Sequence, residues 1–145
     1  MSTETQRIEE IISTLKTRQQ TNRLNYYTPY RFQSRFHESG SDANQRLLMA
    51  ANRVGKSYVG AMEMAIHLTG LYPDWWKGKR YKEPIKAWVC GASNETTRDI
   101  CQKELFGQPD NPREKGKGSI PKHLIGETTR KPGVPNAHSS VLVKH

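Results

Sequence analysis

Apolar residues recur at helical spacing near the start of the chain. Ile8, Ile11, Ile12 and Leu15 stand at i, i+3, i+4 and i+7 and predict an amphipathic helix over residues 3–20, with Thr3 and Gln6 as a candidate capping box. Its apolar face predicts packing on the domain or on a partner. The stretch Tyr26-Tyr27-Thr28-Pro29-Tyr30-Arg31-Phe32-Gln33-Ser34-Arg35-Phe36-His37 breaks at Pro29, places Phe32 and Phe36 four apart on a short helix, and stops at Gly40. The run Leu47-Leu48-Met49-Ala50-Ala51 predicts a strand. Val59, Met62, Ala65, Ile66 and Thr69 then form the stripe of a helix over 57–69, ended by Gly70. Ile85-Lys86-Ala87-Trp88-Val89-Cys90-Gly91 predicts a second strand. A helix capped by Ser93 or Asn94 follows it through Phe106, with Glu95 in its first turn, Ile100 and Leu105 inward and Gly107 as its stop.

Strand, turn, helix, strand and helix make a βαβα unit, which predicts an α/β fold on a parallel sheet. Residues 107–136 carry five prolines and five glycines with little apolar periodicity and predict loop, part of it disordered; only 139–143 regains strand character. The chain divides into an N-terminal helix over 1–24, a core over 25–107 and an irregular C-terminal segment over 108–145, with no internal repeat.

The junction of first strand and central helix carries the candidate chemistry. Ala50-Ala51-Asn52-Arg53-Val54-Gly55-Lys56-Ser57 is a relaxed phosphate-binding loop, with Ala50 where the usual pattern has its first glycine. Such a loop turns backbone N–H groups inward at phosphate oxygens, needs Gly55 where a side chain would intrude, and sets a helix start behind the anion. Lys56 would reach the β/γ-phosphates, and Ser57 would offer its hydroxyl to Mg²⁺. The structural alternative is a helix-capping turn that carries a lysine; the apolar run before it and the helical stripe after it favour the phosphate loop. Upstream, the Gln33 carboxamide has a donor and an acceptor suited to an adenine edge, and Tyr30 can flank the ring.

The net charge is +9, with +2 over residues 1–76 and +7 over 77–145. This imbalance suits nucleic acid or another polyanion, and equally an ordinary solvated surface. The loop Leu71-Tyr72-Pro73-Asp74-Trp75-Trp76-Lys77-Gly78-Lys79-Arg80-Tyr81-Lys82 interleaves aromatics and cations as base-stacking surfaces do, yet it also suits a covering loop whose tryptophans plug the domain, the preferred reading. Cys90 and Cys101 have no CxxC spacing, and the five histidines show no ligand spacing and are expected at the surface. No apolar run approaches the roughly 20 residues of a membrane span.

Four segments together resemble the N-terminal ATPase region of the large terminase subunit of tailed bacteriophages. They are Pro29-Tyr30-x-x-Gln33-x-x-Phe36; Met49-Ala50-x-Asn52-Arg53-Val54-Gly55-Lys56-Ser57; Ala65-x-His67-Leu68-Thr69-Gly70-x-Tyr72-Pro73; and Trp76-Lys77-Gly78-Lys79-Arg80. The similarity continues through Asn94-Glu95-Thr96 and Ser119-Ile120-Pro121-Lys122, and so covers roughly residues 26–145. It implies a partial P-loop NTPase that binds ATP and Mg²⁺, with Gln33 as adenine-reading glutamine, Tyr30 as its flanking aromatic, Lys56 as phosphate lysine and Ser57 as metal ligand. Arg53 matches loop positions where an arginine senses the γ-phosphate; with Lys56 it would be catalytic.

The resemblance further implies double-stranded DNA, a terminase small subunit and a portal protein as partners, and a homo-oligomer in the full motor. It places the protein in the cytoplasm of a bacterial host, at the procapsid portal during packaging. No acidic residue in the sequence follows four apolar ones, so the acidic Mg²⁺-binding strand and the nuclease domain of that family are expected to be missing. The expectation is the front part of a motor that holds ATP without turning it over and is only marginally folded. Three rivals remain at this level: another P-loop enzyme such as a small-molecule kinase, a non-enzymatic nucleic-acid-binding module, and an inactive prophage remnant.

Overall fold

A computed structural model describes residues 3–145. The Thr3 side chain, one end of the expected capping box, lies outside the described residues. Helix α1 (Thr3–Thr21) forms where the apolar spacing predicts it. Its stripe is not covered by the rest of the chain, since Ile8, Ile11, Ile12 and Leu15 all stay exposed. A 3-10 turn (Arg23–Tyr26) then delivers Leu24 and Tyr27 into the core.

Helix α2 (Arg31–Glu38) starts behind Pro29 with Tyr30 as its N-cap residue. Helix α3 (Lys56–Thr69) is the axis of the molecule, flanked by Gly55 (φ 85°) at its start and Gly70 (φ 67°) at its end. Both glycines are left-handed, a conformation that side chains with a Cβ disfavour and that here lets the chain turn sharply into and out of the helix. The predicted stripe on α3 is buried in full: Val59, Met62, Ala65, Ile66 and Thr69. Around it gather Leu24, Tyr27, Trp76, Leu105 and Ile120. Full burial of one such aliphatic side chain stabilises by about 1.5–3 kcal/mol, which makes α3 the element the others assemble on.

After α3, the Trp76 indole is buried and donates from Nε1 to the Lys79 carbonyl at 3.0 Å. The loop over 71–82 is therefore a cover, as preferred from sequence. The helix expected up to Phe106 runs as α4 (Asn94–Thr96), a π-helical stretch (Thr97–Gln102) and α5 (Lys103–Phe106). Ser93 caps it, its hydroxyl accepting from the Thr96 N–H at 3.1 Å. Leu105 points inward as expected, whereas Ile100 is exposed. Ile100 sits inside the stretch with i→i+5 spacing, where the 3.6-residue period that predicted its direction does not apply.

The fold mixes helix with a small sheet. Among the described residues the sheet has two antiparallel strands, β1 (Ile125–Arg130) and β2 (His138–Val143), in the register Ile125 to Val143 and Thr128 to Val141. The predicted strands over 47–51 and 85–91 are not strands here, and the parallel βαβα sheet is absent from the described residues. Both segments run without ladder partners, and although Leu48 and Ile85 are half-buried, Leu47 is 81%, Met49 82% and Trp88 91% exposed. An extended segment becomes a strand only when a neighbour takes its N–H and C=O groups.

The C-terminal segment is better anchored than its composition predicts. Ser119 and Ile120 donate backbone N–H groups to the Glu104 and Leu105 carbonyls at 2.8 and 2.9 Å, and the Gln102 amide joins the Asn136 carbonyl and the His138 N–H, both at 2.8 Å.

Candidate phosphate site and its supporting network

The chain leaves the extended 47–51 segment, turns at Asn52 and Arg53, and enters α3 at Lys56. Arg53 is left-handed (φ 62°), as is Gly55, so two of the four residues before the helix take conformations that tighten the turn. The first helical bond runs from the Val59 N–H to the Gly55 carbonyl at 2.9 Å. No side chain caps the N-terminus of α3, leaving its first N–H groups open in the direction an anion would approach. The Lys56 ammonium folds back over the turn and donates to the Ala50 and Ala51 carbonyls at 2.8 and 2.6 Å. Asn52, Arg53 and Ser57 are exposed, while Val54, Gly55 and Lys56 are half-buried.

Gln33, predicted from 22 positions upstream, lies against this turn. A Cβ added at Gly55 would come to 3.3 Å from Gln33 Nε2. Gln33 is 2% exposed, and its Oε1 accepts from the Tyr30 N–H at 2.9 Å, which fixes the carboxamide at the start of α2. Tyr30 is 71% exposed and lies parallel to Phe32, with ring centroids 6.4 Å apart. The structure thus brings Gln33, Gly55 and the start of α3 together and leaves Tyr30, Arg53 and Ser57 at the surface nearby.

Behind the turn lies a charged network that the sequence reading missed, although Glu63 and His67 stand four apart on α3. Glu63, on the inner side of α3, is 7% exposed. Its carboxylate takes His37 Nδ1 at 2.7 Å, is paired by the Arg46 guanidinium, and has His67 Nε2 at 3.6 Å. Burial pushes the Glu63 carboxyl up, but the hydrogen bonds from His37, His67 and Arg46 outweigh it and hold it well below the usual carboxylate range. From His37 the network runs through Nε2 to the Tyr27 hydroxyl at 2.9 Å, and that hydroxyl stands 3.5 Å from Gln33 Oε1. On the other side, His67 Nδ1 meets the Tyr72 hydroxyl at 3.1 Å, which accepts from the Tyr81 N–H at 2.7 Å. His37 and His67 are therefore buried, against the expectation of surface histidines: each ring is held by Glu63 on one nitrogen and a tyrosine on the other, so burial leaves neither unsatisfied. Trp75 and Trp76 close over the His37 ring, with centroids 6.0 and 5.0 Å away.

Chemically, the exposed turn can take a polyphosphate: it has open N–H groups, one ammonium and one free guanidinium. Ser57, in the first turn of α3, offers an exposed hydroxyl oxygen beside it. Among the described residues no cluster of three or more histidine, cysteine, aspartate or glutamate side chains forms a metal site, and no helix is long and apolar enough to cross a membrane.

Residues 47–141 match the family model described as "Terminase large subunit, T4likevirus-type, N-terminal". The chain is also 38% identical over 148 residues to the protein named "Terminase, large subunit" of Salmonella phage P22, an alignment covering 94% of this chain and 30% of that protein. It thus spans about a third of the length of the relative it matches. No solved structure matches the chain.

Proposed function

This chain belongs to the terminase large-subunit family, and on that premise we propose that it forms the nucleotide-holding N-terminal part of a motor that packages double-stranded DNA. The observation that carries the reading is the convergence of Gln33 and the Gly55 turn, with the open start of α3 behind them.

In this reading the loop amides over 52–57 cradle the ATP phosphates. Lys56 would leave the Ala50 and Ala51 carbonyls for the β/γ-phosphates, and the Ser57 hydroxyl would help hold Mg²⁺. Exposed Arg53 reaches the γ-phosphate, where a guanidinium stabilises charge that develops in phosphoryl transfer. Bound Mg²⁺ would supply neutralisation of the β/γ oxygens. Gln33 reads the adenine edge and Tyr30 flanks the ring.

The parallel P-loop sheet belongs to the same proposal. Segments 47–51 and 85–91 flank α3 in sequence, and the exposed side chains of Leu47, Met49 and Trp88 suit cover by further strands. Double-stranded DNA, a small subunit, a portal protein and further copies of the chain are the proposed partners, in the host cytoplasm. Exposed Lys77, Lys79, Arg80 and Lys82 offer DNA a backbone-contacting edge, whereas buried Trp76 takes no part in base stacking. Titration of the protein with Mg-ATP, wild type against Lys56→Ala, tests the nucleotide reading.

A further inference from the structure

A cavity of about 680 Å³ that shares no residue with the phosphate turn opens between the end of α1 and the 3-10 turn Lys122–Leu124. Arg18, Asn22, Asn25 and Tyr26 line it from one stretch of the chain, Lys122 and His123 from a distant one. Both stretches are pinned to the same core. Leu24 is buried in that core, while Leu124 packs against it and accepts the Lys144 N–H at 2.9 Å. The core therefore sets the distance between the two linings, and the cations, which repel one another, do not.

The lining carries a guanidinium, an ammonium and an imidazole, and no carboxylate. Among the described residues neither Arg18 nor Lys122 has an ion-pair partner, although the chain holds 14 acidic side chains that could have supplied one. Unpaired cations held around one opening suit a polyanion. Its volume falls within the roughly 300–1,000 Å³ of ordinary ligand sites. Phosphates alone would use only the cations, but the same lining adds the Tyr26 ring, 45% exposed, and two carboxamides. An aromatic face beside cations serves a base, and a base offers its own face only when it is unstacked from a duplex. The 77–82 edge differs in this respect, because its cations are exposed while Trp76 is buried.

We propose that this cavity binds one unpaired strand of DNA, with Arg18 and Lys122 on backbone phosphates and a base stacked on Tyr26. Asn22 and Asn25 each have a donor and an acceptor and can meet any base edge, so the site has no strong sequence preference. The inference adds a second nucleic-acid surface to the reading above. It rests on the premise that the chain handles DNA, and needs neither the 77–82 edge nor a nucleotide in the phosphate turn.

Fluorescence anisotropy with a short labelled single strand, and with the same sequence as a duplex, tests it on wild type, Tyr26→Ala, Tyr26→Phe and the pair Arg18→Ala with Lys122→Ala. All three positions are exposed, so thermal unfolding should be nearly unchanged. Tyr26→Ala should weaken single-strand binding about five- to 150-fold, the worth of one stacked base, and leave duplex binding within about twofold. Tyr26→Phe, which keeps the ring, should keep the wild-type affinity. The paired substitution should lower the slope of log affinity against log salt for the single strand by about 1.4, at about 0.7 per cation lost.

Single-strand binding unmoved by Tyr26→Ala, or a Tyr26→Phe variant as weak as Tyr26→Ala, overturns the inference. So does an equal loss for single strand and duplex, which would reduce the cavity to a plain phosphate contact, or an unchanged salt slope in the paired variant. A wild type that binds the single strand but no duplex removes the 77–82 edge and leaves this site standing. One that binds duplex alone removes this site and leaves the edge; one that binds neither at low salt removes the DNA reading and this inference with it.

Discussion

Replacing Lys56 by alanine should remove ligand binding while leaving the fold intact, and the two effects can be sized separately. In the free protein the ammonium donates to the Ala50 and Ala51 carbonyls at 2.8 and 2.6 Å, and both alanines are exposed. Truncation hands those carbonyls to water and leaves no buried group unpaired, so stability should change by no more than about 0.5 kcal/mol. For a chain of this size that is a shift in Tm of roughly 2 °C or less. Binding loses a charge-assisted hydrogen bond to phosphate, worth about 1.5–3 kcal/mol, so affinity for Mg-ATP should fall about ten- to 150-fold. Calorimetric titration gives the affinities and differential scanning calorimetry the Tm. Equal affinity in Lys56→Ala would refute the phosphate-loop assignment. A drop in Tm of many degrees would refute the argument that Lys56 is free of structural duty.

Gly55→Ala should act on both quantities, because φ 85° strains a Cβ that would also press within 3.3 Å of Gln33 Nε2. A cost of about 1–2 kcal/mol lowers Tm by several degrees and weakens ATP binding; an unchanged Tm would show that the turn is relaxed in solution. Glu63, held below the usual carboxylate range, contributes stability that is fully present above its unfolded-state value near 4.5 and is lost as pH falls through its lower folded-state value. Tm should therefore decline on acidification below about 4.5 more steeply in wild type than in Glu63→Gln, and parallel slopes would contradict the assignment. If DNA is held by the exposed cations of 77–82, the logarithm of its affinity should fall linearly with the logarithm of salt, at about 0.9 per phosphate neutralised, with no sequence preference. Binding that ignores salt, or none at low salt, would remove DNA from that edge.

Elements whose apolar residues face one neighbour were legible in the sequence. The stripe on α3 and the glycines at its two ends follow from local rules, and both hold. The strands over 47–51 and 85–91 were read from composition alone, but a ladder is a property of two segments, and no spacing within one of them reports whether the other pairs with it. Strand β1 was missed for the converse reason. Ile-Gly-Glu-Thr-Thr-Arg has almost no apolar signal, and it pairs because the turn after it returns His138–Val143 alongside. Ile100 failed because the helix period changed beneath it.

The site divides along the same line. Gly55, Lys56 and Ser57 are contiguous, and their order carries the chemistry, so the loop could be found. Gln33 could be proposed because its carboxamide has a use beside such a loop. The Glu63 network could not be found whole, because Glu63 and His67 share α3 while Tyr27, His37 and Arg46 come from three other parts of the chain, up to 40 positions away, and each taken singly is ordinary. One signal was present. Glu63 interrupts the apolar stretch Ala61-Met62-x-Met64-Ala65-Ile66 on the most buried helix of the chain, where a carboxylate survives only if it is paired. Such a residue on a phosphate-loop helix implies basic partners brought in from elsewhere. Here those partners come from α2 and from the approach to the loop, the two segments that must hold still for Gln33 and Gly55 to stay together. Removing one partner of such a buried pair typically costs about 3–5 kcal/mol, which ties the geometry of the candidate base site to the stability of the domain.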